Sequence, residues 1–220
     1  MDEIDIESAL NEIENESDDE DEVQISLPEI IQLMEETWLN EKFSPEILPN
    51  KMEIVELLLD QITTLETNLK KLNNSDFKKG LYQMEVDRLR FLISSYLRKR
   101  LEKIEIFCTA ILEQEKLRSQ QGKDNYLSQN ELQFAQEYDQ SIKDNFESVM
   151  RFCPGIIETQ IISPNIHSMV FLKSKENIDG IVIDDGNDDN DLIDLTTGAQ
   201  VLIGYKSISN LVKNGDVHLI

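Results

Sequence analysis

Few side chains in this sequence are spaced to do chemistry. There are two histidines, His167 and His218, and two cysteines, Cys108 and Cys153. A zinc site needs nitrogen, sulfur or carboxylate ligands at short fixed spacings, and neither histidine has such a neighbour. Residue order alone leaves Ser-His-Asp chemistry open, but no nucleophile elbow supports it. Gly-rich phosphate loops, a Walker pattern and a dinucleotide fingerprint are absent. The carboxylates of Asp184, Asp185, Asp188, Asp189 and Asp191 suit calcium in kind, yet lack the loop spacing of an EF-hand. The residues therefore predict no catalytic group, no metal and no cofactor. A hydrolase would have to reveal itself as a concave pocket holding acids of raised pKa.

One charged feature remains. Arg98, Lys99, Arg100 and Lys103 cluster, preceded by Arg88 and Arg90. They either lie along a helix and pair with Glu85, Asp87, Glu102 and Glu105, or Arg98, Arg100 and Lys103 meet an acidic partner or a nucleic-acid backbone. The formal charge of −23 weighs against a free nucleic-acid binder, since phosphate contacts favour a basic surface. Twelve of the acids fall in Met1–Glu22, which has no Lys or Arg, so the remainder still carries −11. That acidic start holds no signal-peptide core, and no run of about 18 apolar residues predicts a membrane span. Both cysteines sit in apolar helical contexts, which predicts reduced, buried thiols in an intracellular protein.

The cluster sits on the stretch that organises the chain, Tyr82–Gln120. Val86, Leu89, Ile93, Leu97, Leu101, Ile104, Cys108 and Ile111 follow one another in steps of three and four, the period of one helix face. Tyr82, Leu92, Tyr96 and Phe107 form a flanking row. At ~1.5 Å per residue this helix is on the order of 55–60 Å long, more than a 220-residue chain needs for its own core.

The other elements follow in order. Residues 1–25 read as an acidic tail, disordered in isolation; within it Ile6, Ala9, Leu10 and Ile13 make a short amphipathic pattern able to fold on a partner. Ser26, Pro28 and Glu29 open a first helix. Asn50 and Glu53 repeat the capping pattern before a second, in which Val55, Leu58, Leu59, Ile62, Leu65, Leu69 and Leu72 make a near-heptad stripe. Ser128 and Glu131 form a capping box, with Leu127 and Leu132 as a staple, and Leu132, Ala135, Tyr138, Ile142, Phe146 and Val149 continue that helix to Pro154-Gly155. Five short β-type runs follow, at 168–173, 180–183, 192–195, 200–205 and 216–220. Ser207–Asn214 reads as a short helix capped by Ser207. The fold class is α+β, an N-terminal all-α helical bundle domain over 26–154, a linker over 155–165, and a small β-rich domain over 166–220, too small to be comfortable alone.

The long helix resembles the signature helix of the GINS subunit 4 family. The residues concerned are Tyr82, Glu85-Val-Asp-Arg-Leu-Arg-Phe-Leu-Ile93, Ser95-Tyr-Leu-Arg98, Arg100-Leu101 and Lys103-Ile-Glu105. The end of the chain is similar too, through Ile193-Asp-Leu195, Gly198, Leu202-Ile203, Tyr205-Lys206, Leu211-Val212, Gly215 and Leu219-Ile220. Gly204 departs from the pattern, where the family usually carries Arg. The resemblance covers roughly 26–220. It implies a helical A domain followed by a β-rich B domain, and a non-catalytic scaffold in a heterotetramer with three sister GINS subunits. It further implies a place in the nucleus beside the MCM hexamer and the other component of the CMG helicase, needed for initiation and elongation of replication, with DNA met only indirectly. Under this reading Val55, Leu59, Ile62, Tyr82, Leu89, Ile93, Tyr96, Leu97, Leu202, Tyr205, Leu219 and Ile220 are candidate subunit contacts. The Ile6–Ile13 segment would dock on a trimeric replisome adaptor. The alternative is a stand-alone helical adaptor or nucleic-acid module built on Arg98–Lys103.

Overall fold

The structure, a computed structural model, describes residues 26–72, 77–149, 161–183 and 191–220. The tail segment Ile6–Ile13, Cys153, Pro154-Gly155 and residues 187–190 lie outside the described residues.

Among the described residues four helices come first: α1 (Leu27–Phe43), α2 (Met52–Lys71), α3 (Phe77–Gln120) and α4 (Gln129–Val149). The Ser26 N–H donates to Glu29 Oε2 at 3.0 Å, closing the expected capping box with Pro28 in the first turn. The second cap differs. Lys51, not Asn50, precedes α2, because the Asn50 N–H is drawn to the Tyr126 carbonyl at 3.0 Å. Helix α3 packs against α1, α2 and α4 in turn. It runs antiparallel to α2, since Arg90 pairs with Glu66 and Tyr96 meets Lys51.

Two cores are threaded on α3. Ile30 and Met34 of α1, Val55, Leu58, Ile62, Leu65 and Leu69 of α2, and Val86, Leu89, Ile93 and Tyr96 of α3 make the first. Ile104, Cys108, Ile111 and Leu112 of α3 make the second with Leu127 and Ala135. Helix α3 is interrupted at Phe107 (φ −113°, ψ 25°), beside no Pro or Gly. The break falls within the second core, where α3 packs on α4. The expected stripe also rotates. Arg100 is buried while Leu101 is exposed, because a 3.6-residue period carried from Ile93 and Tyr96 reaches position 100.

The C-terminal part contains β1 (Met169–Ser174), β2 (Ile178–Ile183), β3 (Asp191–Leu195), β4 (Gln200–Gly204), α5 (Tyr205–Asn214) and β5 (Val217–Leu219). Strands pair antiparallel in the order β4-β1-β5, and β2 pairs with β3. The β2–β3 register slips between Ile178 and Ile181, where Gly180 takes φ 73° and gives its N–H to Asp194 Oδ1 at 2.8 Å; a side chain is strained in that conformation. Ser207 does not cap α5. The helix leaves β4 directly with Gly204 as its N-cap, because Tyr205 is buried and its N–H is held by the Ser168 carbonyl at 2.9 Å. Val170, Leu172, Ile203, Tyr205, Ile208, Val212, Val217 and Leu219 form the third core, and Leu48 enters it from the loop after α1.

Leu89 has no exposed surface, whereas Leu59 is 47% exposed. Leu89→Ala should cost about 2–5 kcal/mol, and Leu59→Ala less than about 0.5 kcal/mol. Urea unfolding of the two variants measures both, and equal losses would contradict this assignment of faces.

Candidate interaction surfaces and the buried ion-pair core

The basic cluster divides by burial. Arg98 is exposed, and Lys99 pairs with Glu102 along the helix at 2.6 Å. Arg88 reaches Glu85 and also Glu35 on α1. Arg100 and Lys103 point into the protein, with side chains 0% and 11% exposed. They cannot present themselves to a phosphate backbone or an acidic partner, which corrects the nucleic-acid reading. Nor do they pair with Glu102 or Glu105. Their partners are Glu41 and Glu131, distant in sequence.

Arg100 has five N–H groups, and all five are used. Nε donates to Glu131 Oε1 at 2.7 Å, Nη1 to Glu41 Oε2 at 3.1 Å and to the Leu48 carbonyl at 2.7 Å, and Nη2 to Glu131 Oε2 at 3.0 Å and to the Tyr126 carbonyl at 2.9 Å. Lys103 Nζ reaches Glu41 Oε1 at 2.7 Å, Ser44 Oγ at 2.8 Å and the carbonyls of Glu41 and Glu46. Two cations face two carboxylates, so the buried group is neutral. Glu131 serves twice: it accepts the Ser128 N–H at 2.8 Å in the expected capping box and receives the guanidinium. Burial alone would raise the Glu131 carboxyl, but the bonds from Arg100 and Ser128 hold it below its ordinary 4.5. Burial lowers the Lys103 ammonium more than Glu41 raises it. For Arg100, burial is outweighed by Glu131 and Glu41, and its pKa rises. Beneath it the Tyr96 hydroxyl is pushed up to about 12, chiefly by burial.

The sequence reading missed Glu41 and the second role of Glu131. The signal was available: an arginine on the core side of an apolar stripe, between Tyr96 and Ile104, must find carboxylates elsewhere.

The predicted contact residues also divide. Val55, Ile62, Leu89, Ile93, Tyr96, Tyr205 and Leu219 are packed in the chain's own cores, with Tyr82 and Leu97 partly buried against the first. A side chain with nothing exposed has no apolar area left for a partner. Leu59, Leu202 and Ile220 remain at the surface. Three more stand out on α3: Phe77, Met84 and Phe91 are 76%, 71% and 63% exposed. Steps of seven put them on one helix line. Ile142, Phe146 and Val149, the far half of the apolar face of α4, are exposed as well.

Elsewhere the chemistry is sparse. Cys108 is buried; its thiol donates to the Ala135 carbonyl at 3.1 Å, and burial raises its pKa to about 11. His167 is exposed. His218 lines a cleft between α1 and the sheet with Glu29, Gln32, Glu36, Lys173 and Lys175. Burial opposes ionisation of Glu36, but the contacts from Lys175 and Gln32 hold its carboxyl below the ordinary value. Among the described residues no three His, Cys, Asp or Glu are grouped to hold a metal, and no helix is long and apolar enough to cross a membrane.

Comparison with known proteins covers nearly the whole chain. The family of GINS complex protein helical bundle domains, Sld5, matches residues 7–150, and the C-terminus of DNA replication complex GINS protein SLD5 matches 164–220. A Xenopus laevis protein named DNA replication complex GINS protein SLD5 is 39% identical over 216 residues, spanning 94% of this chain and 97% of its own. The Homo sapiens protein of that name is 38% identical over 208 residues, 91% of this chain and 93% of its own. The Schizosaccharomyces pombe protein is 26% identical over 197 residues, 83% and 88%.

Two predictions follow from the ion-pair core. Arg100→Ala leaves the buried Glu131 carboxylate without a cation and Glu41 with Lys103 alone, and should cost about 3–5 kcal/mol in chemical unfolding; a loss under about 1 kcal/mol would mean that water replaces the guanidinium. Glu131 contributes stability that is complete above pH 4.5 and disappears as pH falls through its lower folded value. Thermal melts across that range should find Glu131→Gln less stable at neutral pH and less sensitive to acid, and parallel curves for the two proteins would count against the pairing.

Proposed function

Because the chain belongs to the SLD5 family of DNA replication complex GINS proteins, we propose that it works as a non-catalytic scaffold, subunit 4 of a heterotetramer with three sister GINS subunits. In this reading the tetramer joins the MCM hexamer and a further component as the CMG helicase in the nucleus, and the chain meets DNA only through its partners. The observation that carries the proposal is the uncovered line of Phe77, Met84 and Phe91 on the longest helix. Aromatic and methionine side chains left in water along one helix face mark a surface that a partner covers. Leu59 of α2, Ile142, Phe146 and Val149 of α4, and Leu202 and Ile220 of the C-terminal part extend the apolar area available to sisters. The acidic tail docks on a trimeric replisome adaptor through Ile6, Ala9, Leu10 and Ile13; a labelled tail peptide should bind it saturably, and Leu10→Asp should abolish that binding.

The test of the scaffold reading is co-expression. Light scattering of the chain with three sister subunits should give one particle of equal stoichiometry. Met84→Asp should leave the melt of the chain alone within about 0.5 kcal/mol of wild type while reducing recovery of the sisters at least tenfold. Full recovery with Met84→Asp, and with Phe77→Asp beside it, would remove this face from the interface. A monomer indifferent to all three sisters would overturn the scaffold itself.

A further inference from the structure

The loop between α1 and α2 belongs to both halves of the molecule. Ile47 is buried in the second helical core, and its neighbour Leu48 is buried in the C-terminal core. Backbone atoms of the same loop are fixed from the helical side, where the Glu46 carbonyl takes Lys103 Nζ at 2.9 Å and the Leu48 carbonyl takes Arg100 at 2.7 Å. Its one carboxylate turns the other way. Glu46 Oε1 accepts from the Tyr205 hydroxyl at 3.0 Å, the Ser209 hydroxyl at 2.9 Å and Lys213 Nζ at 2.6 Å, three residues of α5. Two more polar contacts cross the junction from α1: Lys175 donates to Glu36, and the Leu219 N–H donates to Asn40 Oδ1 at 2.7 Å. All five contacts run in one direction, with acceptors on the helical side and donors on the C-terminal side.

We propose that this loop is a rivet that sets the orientation of the C-terminal domain on the helical bundle, that Glu46 is its positioning residue, and that the domain can undock as a folded unit when the Glu46 contacts are lost. Leu48 is the apolar pin. Around it the clamp is ionic at Glu46–Lys213 and Glu36–Lys175, with side chains partly reached by solvent, so salt screens it. Arg100 and Lys103 act at a distance by holding the loop backbone. Opening at such a junction leaves the hydrogen bonds within each part intact, so it lies below global unfolding in free energy.

The Leu219 amide reports the event, because its partner Asn40 belongs to the other half. Amide exchange resolved to single residues, measured on the full chain, should show Leu219 at least tenfold faster in Glu46→Gln than in wild type. Leu89, in the first helical core, and Leu172, in the strand paired with β5, should keep their protection. Raising salt from about 0.1 M to 1 M shortens the screening length from ~10 to ~3 Å and should speed Leu219 several-fold in wild type and less in the variant. Unchanged Leu219 exchange in Glu46→Gln would overturn the latch. Equal acceleration at Leu219, Leu172 and Leu89 would also overturn it, by showing that the two halves open only together. Lys213→Met serves as the independent second variant and should reproduce the selective effect from the opposite side of the contact.

Discussion

A guanidinium with no exposed surface has to find an acceptor for every N–H it carries, or the fold does not close. Arg100 meets that demand with two carboxylates and two backbone carbonyls drawn from four different segments: α1 through Glu41, the following loop through Leu48, the α3–α4 connection through Tyr126, and the first turn of α4 through Glu131. Lys103, one turn further on, binds Glu41 again and gathers the carbonyls of the loop. A buried ion pair of this kind is weak evidence for net stability, because desolvation consumes most of the Coulombic gain. What it supplies is geometry. Apolar side chains accept many packings of similar energy, but a five-donor fork with fixed directions accepts few.

The consequences spread outward from that point. Fixing the loop after α1 sends Ile47 into one core and Leu48 into another. It also aims the Glu46 carboxylate at Tyr205, Ser209 and Lys213 of α5. Fixing the N-terminus of α4 through Glu131 places Ala135 against Cys108, beside the break at Phe107. Helix α3 therefore functions as a spine with three neighbours on its inner side. On its outer side Phe77, Met84 and Phe91 stay largely exposed, and Phe91 meets Trp38 on α1 edge-on, at 6.5 Å between ring centres. A helix of 44 residues can be wrapped only in part by a chain of this size, and the remaining apolar line suits a protein whose relatives are named as members of a complex.

Local signals were legible wherever the physics is local. The Ser26–Glu29 and Ser128–Glu131 boxes depend on residues three apart, and both closed as read. The five strands depend on short β-branched runs between turn residues, and each appeared within a residue or two of its run. The readings that changed depend on something distant. Asn50 lost its capping role to a carbonyl at Tyr126. Ser207 lost its role because a buried Tyr205 starts α5 earlier. Leu59 belongs to the near-heptad pattern, yet α3 covers the other side of α2 and leaves it in water.

By itself the sequence determined that there are long amphipathic helices followed by a small strand-rich unit, and where most of them begin, and through its resemblance it told which family to expect. The elements and their starts follow from periodicity and capping, which act over a few residues; the family follows only from the resemblance. The tertiary structure alone decided which apolar face is inside and which is left over, that Arg100 and Lys103 are buried tethers and not a binding surface, and that one loop joins the two halves. Those outcomes depend on carboxylates and carbonyls about 30 to 60 residues away in the chain. No local pattern specifies such partners, because a buried charge declares only that a partner must exist.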